Sequence, residues 1–139
     1  MRTDFLDAHQ RHWDDAELLF KEERWANADH LYGLAAECGL KRLMLAFGMP
    51  FNQDRGEPAN RKDLVHANAV WDRFESYREG RGLGTEYVLP ALNPFQGWRI
   101  SDRYAHRSDF DPGRAQVHRD GATIICRLVE TAQREGWFV

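Results

Sequence analysis

Only two cysteines occur, Cys38 and Cys126. That is too few for a disulfide framework, and both lie in apolar, helical surroundings, so they read as buried free thiols. No run approaches the ~18 apolar residues that a membrane span needs. The opening residues also lack the basic-then-apolar pattern of a secretion signal, so the expectation is a cytoplasmic protein with no membrane partner. A net charge of −3 and a pI near 6.1 exclude a protein that coats nucleic acid non-specifically. Arginine is nonetheless abundant and unevenly placed, which leaves room for a local basic patch. Nothing alternates strand with helix, so a Rossmann enzyme is excluded, and Gly80, Gly82 and Gly84 follow no strand that would make them a phosphate-binding loop. No Ser-His-Asp grouping is suggested. His9 and His12 stand three apart on one helix but have no third ligand nearby, so neither a metal nor another cofactor is expected.

What is present is a chain of 139 residues, 42% hydrophobic and 12% aromatic, enough for one globular domain spanning 1–139. Its most informative stretch runs from Trp25 to Gly48. At 100° per residue, Ala28, Leu31, Ala35, Cys38 and Leu45 take one side, while Tyr32, Ala36, Leu40, Leu43 and Phe47 take the other. A helix that is apolar on every face is a buried central helix. Yet His30, Glu37 and Lys41 fall on one narrow line of it. Charged groups at buried positions must be paired or hydrogen-bonded, so this line must meet a polar partner from elsewhere in the fold.

Around that helix the periodicity predicts others. Asp4 to Glu23 is amphipathic, with Phe5, Ala8, His12, Ala16, Leu19 and Phe20 on its inner face, and its short connection makes it the antiparallel neighbour of the central helix. Gly48 and Pro50 stop the central helix, and Phe51 to Asn60 is a polar loop. Lys62 to Glu79 carries Leu64, Ala67, Val70, Trp71 and Phe74 at helical spacing and ends at Gly80. Within Gly82 to Pro94, the stretch EYVLPAL allows a short helix broken at Pro90. Asn93 to Asp111 reads as a long irregular segment, of the kind that tends to carry function. Asp111 and Pro112 then form an N-cap and first turn for a last helix reaching about Glu135, with Val117, Ile124, Ile125, Leu128 and Ala132 as its stripe. Trp137, Phe138 and Val139 are expected to fold back on the bundle, with contact to a partner as the alternative. The fold class is all-α, an up-and-down bundle of four to five helices.

In the irregular segment Arg99, Arg103 and Arg107 recur every four residues, with His106 among them and Tyr104 alongside. On a helix, the three arginines would share a face able to hold phosphate oxygens by charge-assisted hydrogen bonds. Alternatively, Arg99 or Arg103 turns inward and pairs with Glu37, since a guanidinium binds a carboxylate at two points. Either way, Glu37 is expected to be buried and paired.

The segment Gly33 to Leu45 resembles the second helix of the HEPN superfamily, helical-bundle proteins common in prokaryotic conflict systems. The form A-A-E-x-x-L-K stands here as Ala35, Ala36, Glu37, Leu40 and Lys41. The resemblance implies a homodimer whose paired helices build a cleft. In nuclease members that cleft cuts RNA without a metal, using an Arg and, after four to six residues, a His. The His would act as acid and base on the 2′-hydroxyl and the Arg would hold the phosphate.

Four pairs fit that spacing: Arg99 with His106, Arg61 with His66, Arg24 with His30 and Arg2 with His9. The residues after these arginines are Ile100, Lys62, Trp25 and Thr3, so only the N-terminal pair carries even a hydroxyl where the nuclease motif usually has a polar residue. Arg99 and His106, late in the chain before the last helix, are the best-placed catalytic pair, with Arg103, Arg107 and Tyr104 as binding residues. Arg61 and His66 come next, and His30 is expected as a hydrogen-bonded core histidine. The expected function is that of a HEPN-like domain that dimerises and binds RNA or a nucleotide-bearing partner, with metal-independent ribonuclease activity as its catalytic form. The rival is a non-catalytic module that docks a partner protein in a defence or toxin–antitoxin assembly. Trp71, Trp98 and the C-terminal tail leave more large apolar residues than one small bundle readily covers, which also points to a dimer.

Overall fold

The computed structural model describes residues 1–83 and 85–138; Gly84 of the glycine cluster and Val139 of the tail lie outside the described residues. Four α-helices form the expected all-α bundle: α1 (Phe5–Lys21), α2 (Trp25–Ala46), α3 (Ala67–Gly80) and α4 (Pro112–Arg134). Helix α2 is the centre, touching α1, α3 and α4. Ala28, Tyr32, Ala35, Ala36, Leu40, Leu43 and Met44 are all fully buried on it, the outcome its all-round apolarity predicts.

Asp4 caps α1 by accepting a hydrogen bond from the Asp7 N–H at 3.0 Å. The reversal into α2 is made within three residues, and Glu23 takes a left-handed conformation (φ 59°) to achieve it. Helices α1 and α2 are antiparallel, as expected: Phe20 packs on Trp25 near one end, and His9 reaches the carbonyl of Ala35 near the other. Alternation of direction is confined to this pair. His66 and Phe74 of the α3 region meet Glu37 and Phe47, and His118 and Ile125 of α4 meet Asp29 and Gly39. Both α3 and α4 therefore run in the sense of α2, which is why long connections, 47–66 and 81–111, must return the chain.

The first return holds a small antiparallel hairpin, β1 (Phe51–Asn52) and β2 (Glu57–Pro58), where the sequence suggested only a polar loop. Helix α3 starts at Ala67 and not at Lys62. Asp63 lies fully buried in a 3₁₀ turn (Arg61–Asp63), where it accepts from Arg73 Nε at 2.7 Å and Tyr77 Oη at 2.5 Å. Anchoring that carboxylate leaves Leu64, assigned to the apolar stripe by its spacing, 46% exposed. The EYVLPAL stretch forms no helix; Tyr87 is buried and hydrogen-bonds Glu135. The second return is irregular as expected, with 3₁₀ turns at Ile100–Tyr104 and Arg107–Asp109. Asp111 caps α4 through the Arg114 N–H at 2.7 Å, with Pro112 in the first turn. Of the expected α4 stripe, Ile125 and Ala132 are fully buried, Ile124 and Leu128 half-buried and Val117 exposed; Ala115, His118, Gly121, Ala122 and Val129 complete the buried face.

Trp137 packs edge-on to Phe47 at 5.0 Å and Arg42 lies over Phe138, so these two tail residues do fold back. Trp71 and Trp98 are buried within the chain itself. The surplus of apolar residues that argued for a dimer is thus absorbed internally. Cys38 and Cys126 are unbridged, and burial pushes both thiols up to about 12, which leaves them unreactive at neutral pH. No helix among the described residues is long and apolar enough to cross a membrane.

Candidate functional site

The polar line of α2 does meet a partner, but not the expected one. Glu37 is only 8% exposed and each carboxylate oxygen is used: Oε2 faces Lys41 Nζ at 3.3 Å and Oε1 faces His66 Nδ1 at 3.1 Å. Neither Arg99 nor Arg103 reaches it. Arg99 is exposed at the start of the Ile100–Tyr104 turn, and the Arg103 guanidinium lies over the Tyr104 ring. The reason is the anchor of their segment. Trp98 is fully buried against Gly33 and stacked on His30 at 5.0 Å, which pins the segment over the earlier turns of α2.

His66 occupies the N-cap position of α3 with extended backbone, but its side chain does not cap the helix. It crosses to Glu37 instead, and its side chain remains 49% exposed. The imidazole therefore has one nitrogen on a buried carboxylate, while Nε2 meets no hydrogen-bond partner among the described residues. This is the arrangement that orients a general acid–base histidine and leaves its second nitrogen to solvent. Arg61 sits exposed in the preceding 3₁₀ turn, held in place by the Asp63–Arg73–Tyr77 anchor. His12 of α1 and His30 of α2 also feel the Glu37 charge, which raises them, yet burial dominates and lowers the pKa of both.

Among the described residues His30 has no hydrogen-bond partner, contrary to the expectation: its Nδ1 is buried without one, and the ring is held by stacking on Trp98. His9 is buried with Nδ1 on the Ala35 carbonyl at 2.7 Å, and burial lowers its pKa. Among the described residues, no three His, Cys, Asp or Glu side chains are grouped to hold a metal.

A second feature lies at the start of α2. A cavity of about 640 Å³ opens between Glu23–Asn27 and Tyr104–Arg107. Of the residues singled out in the irregular segment, it gathers Tyr104, His106 and Arg107, together with Arg24 from the other wall; Arg99 and Arg103 are not among its lining. Because Arg99, Arg103 and Arg107 fall in separate short turns, they do not form the shared α-helical face that their spacing allowed. His106 Nδ1 accepts the Ser108 N–H at 3.1 Å and lies 2.9 Å from Ser108 Oγ, which places the proton of the neutral ring on Nε2.

What holds this segment against the bundle was not legible in the sequence. Asp29, fully buried on α2, lies 3.0 Å from His118 Nδ1 and 3.2 Å from Arg114 Nε. The Arg114 contact has ion-pair distance without hydrogen-bond alignment. Arg114 also donates to Asp102 Oδ2 at 3.1 Å and to the Gly97 carbonyl at 3.2 Å, and Phe95 stacks on His118. These ties fasten residues 95–102 to α2 and α4, and so fix where the next turn presents Tyr104 to Arg107.

In comparisons with protein-family models, curated proteins and solved structures, the chain matches none.

Proposed function

We propose that this chain is a HEPN-like helical domain that acts on RNA as a metal-independent endoribonuclease, in a homodimer, with His66 as its proton-transfer group. The observation that carries the reading is the half-exposed imidazole of His66 held at Nδ1 by the buried carboxylate of Glu37. The spacing of Arg61 to His66 is one of the four that the resemblance allows, and Glu37 and Lys41 are themselves residues of the helix that carries the resemblance. Arg99 and His106, best placed by sequence position, have no comparable support: His106 leans on a serine, and Arg99 is absent from the lining of its cavity.

In the reaction, His66 Nε2 takes the proton of a ribose 2′-hydroxyl as that oxygen attacks phosphorus. The bond from phosphorus to the 5′ oxygen breaks, and the proton passes to that departing oxygen. The products are a 2′,3′-cyclic phosphate and a 5′-hydroxyl end. Glu37 holds the ring by its Nδ1 through both transfers, and Arg61 faces the charge that develops on the phosphate. Lys41 keeps the Glu37 carboxylate compensated inside the bundle.

Incubating the purified protein with single-stranded RNA in EDTA tests this, with product ends read by mass spectrometry. Cyclic phosphate ends are expected. Uncut RNA, or cleavage only on adding a divalent ion, rejects the activity and favours the protein-docking module. Sedimentation at micromolar concentration checks the dimer, for which a ~32 kDa species is expected, about twice the chain mass of 16.2 kDa.

A further inference from the structure

We propose that the groove between α1 and α4 binds a short alkyl diamine, one ammonium on Asp14 and the other on Glu130, with the His9 imidazole as a third acceptor. Gly39 of α2 makes the floor possible. A Cβ there would lie 2.5 Å from Ile125 Cγ2 and 2.7 Å from His9 Nδ1, so its absence lets α1 and α4 both come down on α2. One turn beyond Asp14, Glu17 ties α1 to Arg119 of α4 at 2.7 and 3.0 Å and marks one end of the groove. Next to that tie lies a cavity of about 300 Å³, with His9, Trp13 and Asp14 on the α1 side and Val129 and Glu130 on the α4 side. The volume is at the small end for ligand sites and suits a chain of a few carbons.

Asp14 and Glu130 come from opposite walls, and among the described residues neither has an ion-pair partner. That separates them from Glu17, Asp29, Asp63 and Glu75, whose carboxylates all meet arginines. No Lys or Arg among the described residues lines the cavity. The independent mark of a ligand is His9, which is 3% exposed. Its Nδ1 lies 2.7 Å from the Ala35 carbonyl, which can only accept, so Nδ1 carries the ring proton. Burial holds the pKa of this imidazole below its ordinary value, so the ring is neutral at pH 7. Nε2 is then a bare acceptor with no partner among the described residues, on a ring that lines the cavity. The Asp14 charge acts on His9, and the charges of Glu130 and Asp14 both act on Cys126, so the two fields converge inside the cavity. Such a site takes a donor that carries positive charge. A divalent metal is the poorer fit, because among the described residues no three His, Cys, Asp or Glu side chains are grouped to hold one. An ammonium needs no such shell, and the Trp13 indole adds attraction for it. Two acids on opposite walls select two ammonium groups, while Trp13 and Val129 offer apolar surface to the methylenes between them. The assignment does not rest on the ribonuclease reading.

Calorimetric titration of the full chain with putrescine, butylamine, butanediol and magnesium chloride tests the proposal. Saturable putrescine binding is expected, about tenfold tighter than that of butylamine, which carries a single ammonium as a lysine side chain does. Butanediol, without charge, should not bind. Asp14→Asn and Glu130→Gln should each weaken putrescine about tenfold, to the level of butylamine. Asp72→Asn removes an equal charge from the exposed surface of α3 and should leave the affinity unchanged. In protein carrying nitrogen-labelled histidine, putrescine should shift the His9 Nε2 resonance and leave those of His118 in place. The proposal is overturned by an absence of saturable putrescine binding, or by butylamine or magnesium binding as tightly as putrescine. Equal weakening in Asp72→Asn, which would show attraction to net charge alone, or an unmoved His9 resonance overturns it as well. Asp14 and Glu130 are exposed, so matching melting curves should confirm that the variants are folded.

Discussion

Replacing Glu37 by alanine removes the carboxylate that compensates Lys41, whose side chain is itself only 10% exposed, and frees His66 from its anchor. Breaking a buried pair by deleting one member costs about 3–5 kcal/mol, because the other charge is left without compensation. For a domain of this size each kcal/mol corresponds to roughly 3–4 °C, so the melting temperature should fall by about 10–20 °C. The half-exposed His66 side adds less than the Lys41 side, because water replaces its lost partner. Three comparisons isolate the cause. Glu37→Gln keeps an acceptor for His66 and should cost less than Glu37→Ala. Adding Lys41→Met to Glu37→Ala removes the orphaned charge and should recover much of the loss. Arg99→Ala should leave the melting temperature unchanged, because Arg99 does not pair with Glu37. Differential scanning calorimetry at pH 7 reads all of them. A Glu37→Ala protein melting within a degree of the parent, or a double variant no better than the single, refutes the reasoning.

Gly33→Ala should be severely destabilising in urea unfolding, because its Cβ would lie 2.1 Å from the Trp98 ring, which is fully buried and pinned; an unchanged midpoint contradicts the packing described. Burial lowers the pKa of His9, and of His12 and His30, below the ~6.5 of the unfolded chain. Between those values the unfolded state binds more protons, so this stability is fully present above about pH 6.5 and is lost as pH falls below it through the lowered folded-state values. The melting temperature should therefore drop between pH 7.5 and 5.5, and His9→Gln should flatten the slope; an equally steep slope in His9→Gln argues against His9 as a source. Asp29→Ala removes the acid facing His118 and Arg114. It should destabilise the fold and speed proteolytic cleavage within 99–111, whereas a parent-like digestion pattern would show that the segment is held by something else.

The helices were legible where periodicity reports burial. The all-round apolarity of Trp25 to Gly48 predicted a central helix, and the Glu37 within it predicted a buried pair; both follow from local pattern and solvation cost. The Asp111–Pro112 start of α4 was equally local. Partners were not legible, because they join distant positions without any periodic signal. His66 reaches Glu37 across 29 residues, and His118 reaches Asp29 across 89. Leu64 misled for a related reason. It has helical spacing, but burial of the neighbouring Asp63 sets the chain direction there and leaves Leu64 outside. The four-residue repeat of Arg99, Arg103 and Arg107 misled because Trp98, Asp102 and Arg114 fasten the segment in short turns, where that spacing defines no face.

Single-turnover cleavage of one RNA in EDTA by His66→Ala and His106→Ala decides which histidine moves the proton. With His66 as the acid–base group, His66→Ala should cut about two to four orders of magnitude more slowly. His106→Ala should keep a parent-like rate at saturating RNA. A parent-like rate in His66→Ala, with the loss appearing in His106→Ala, would contradict the assignment and return the chemistry to Arg99 and His106.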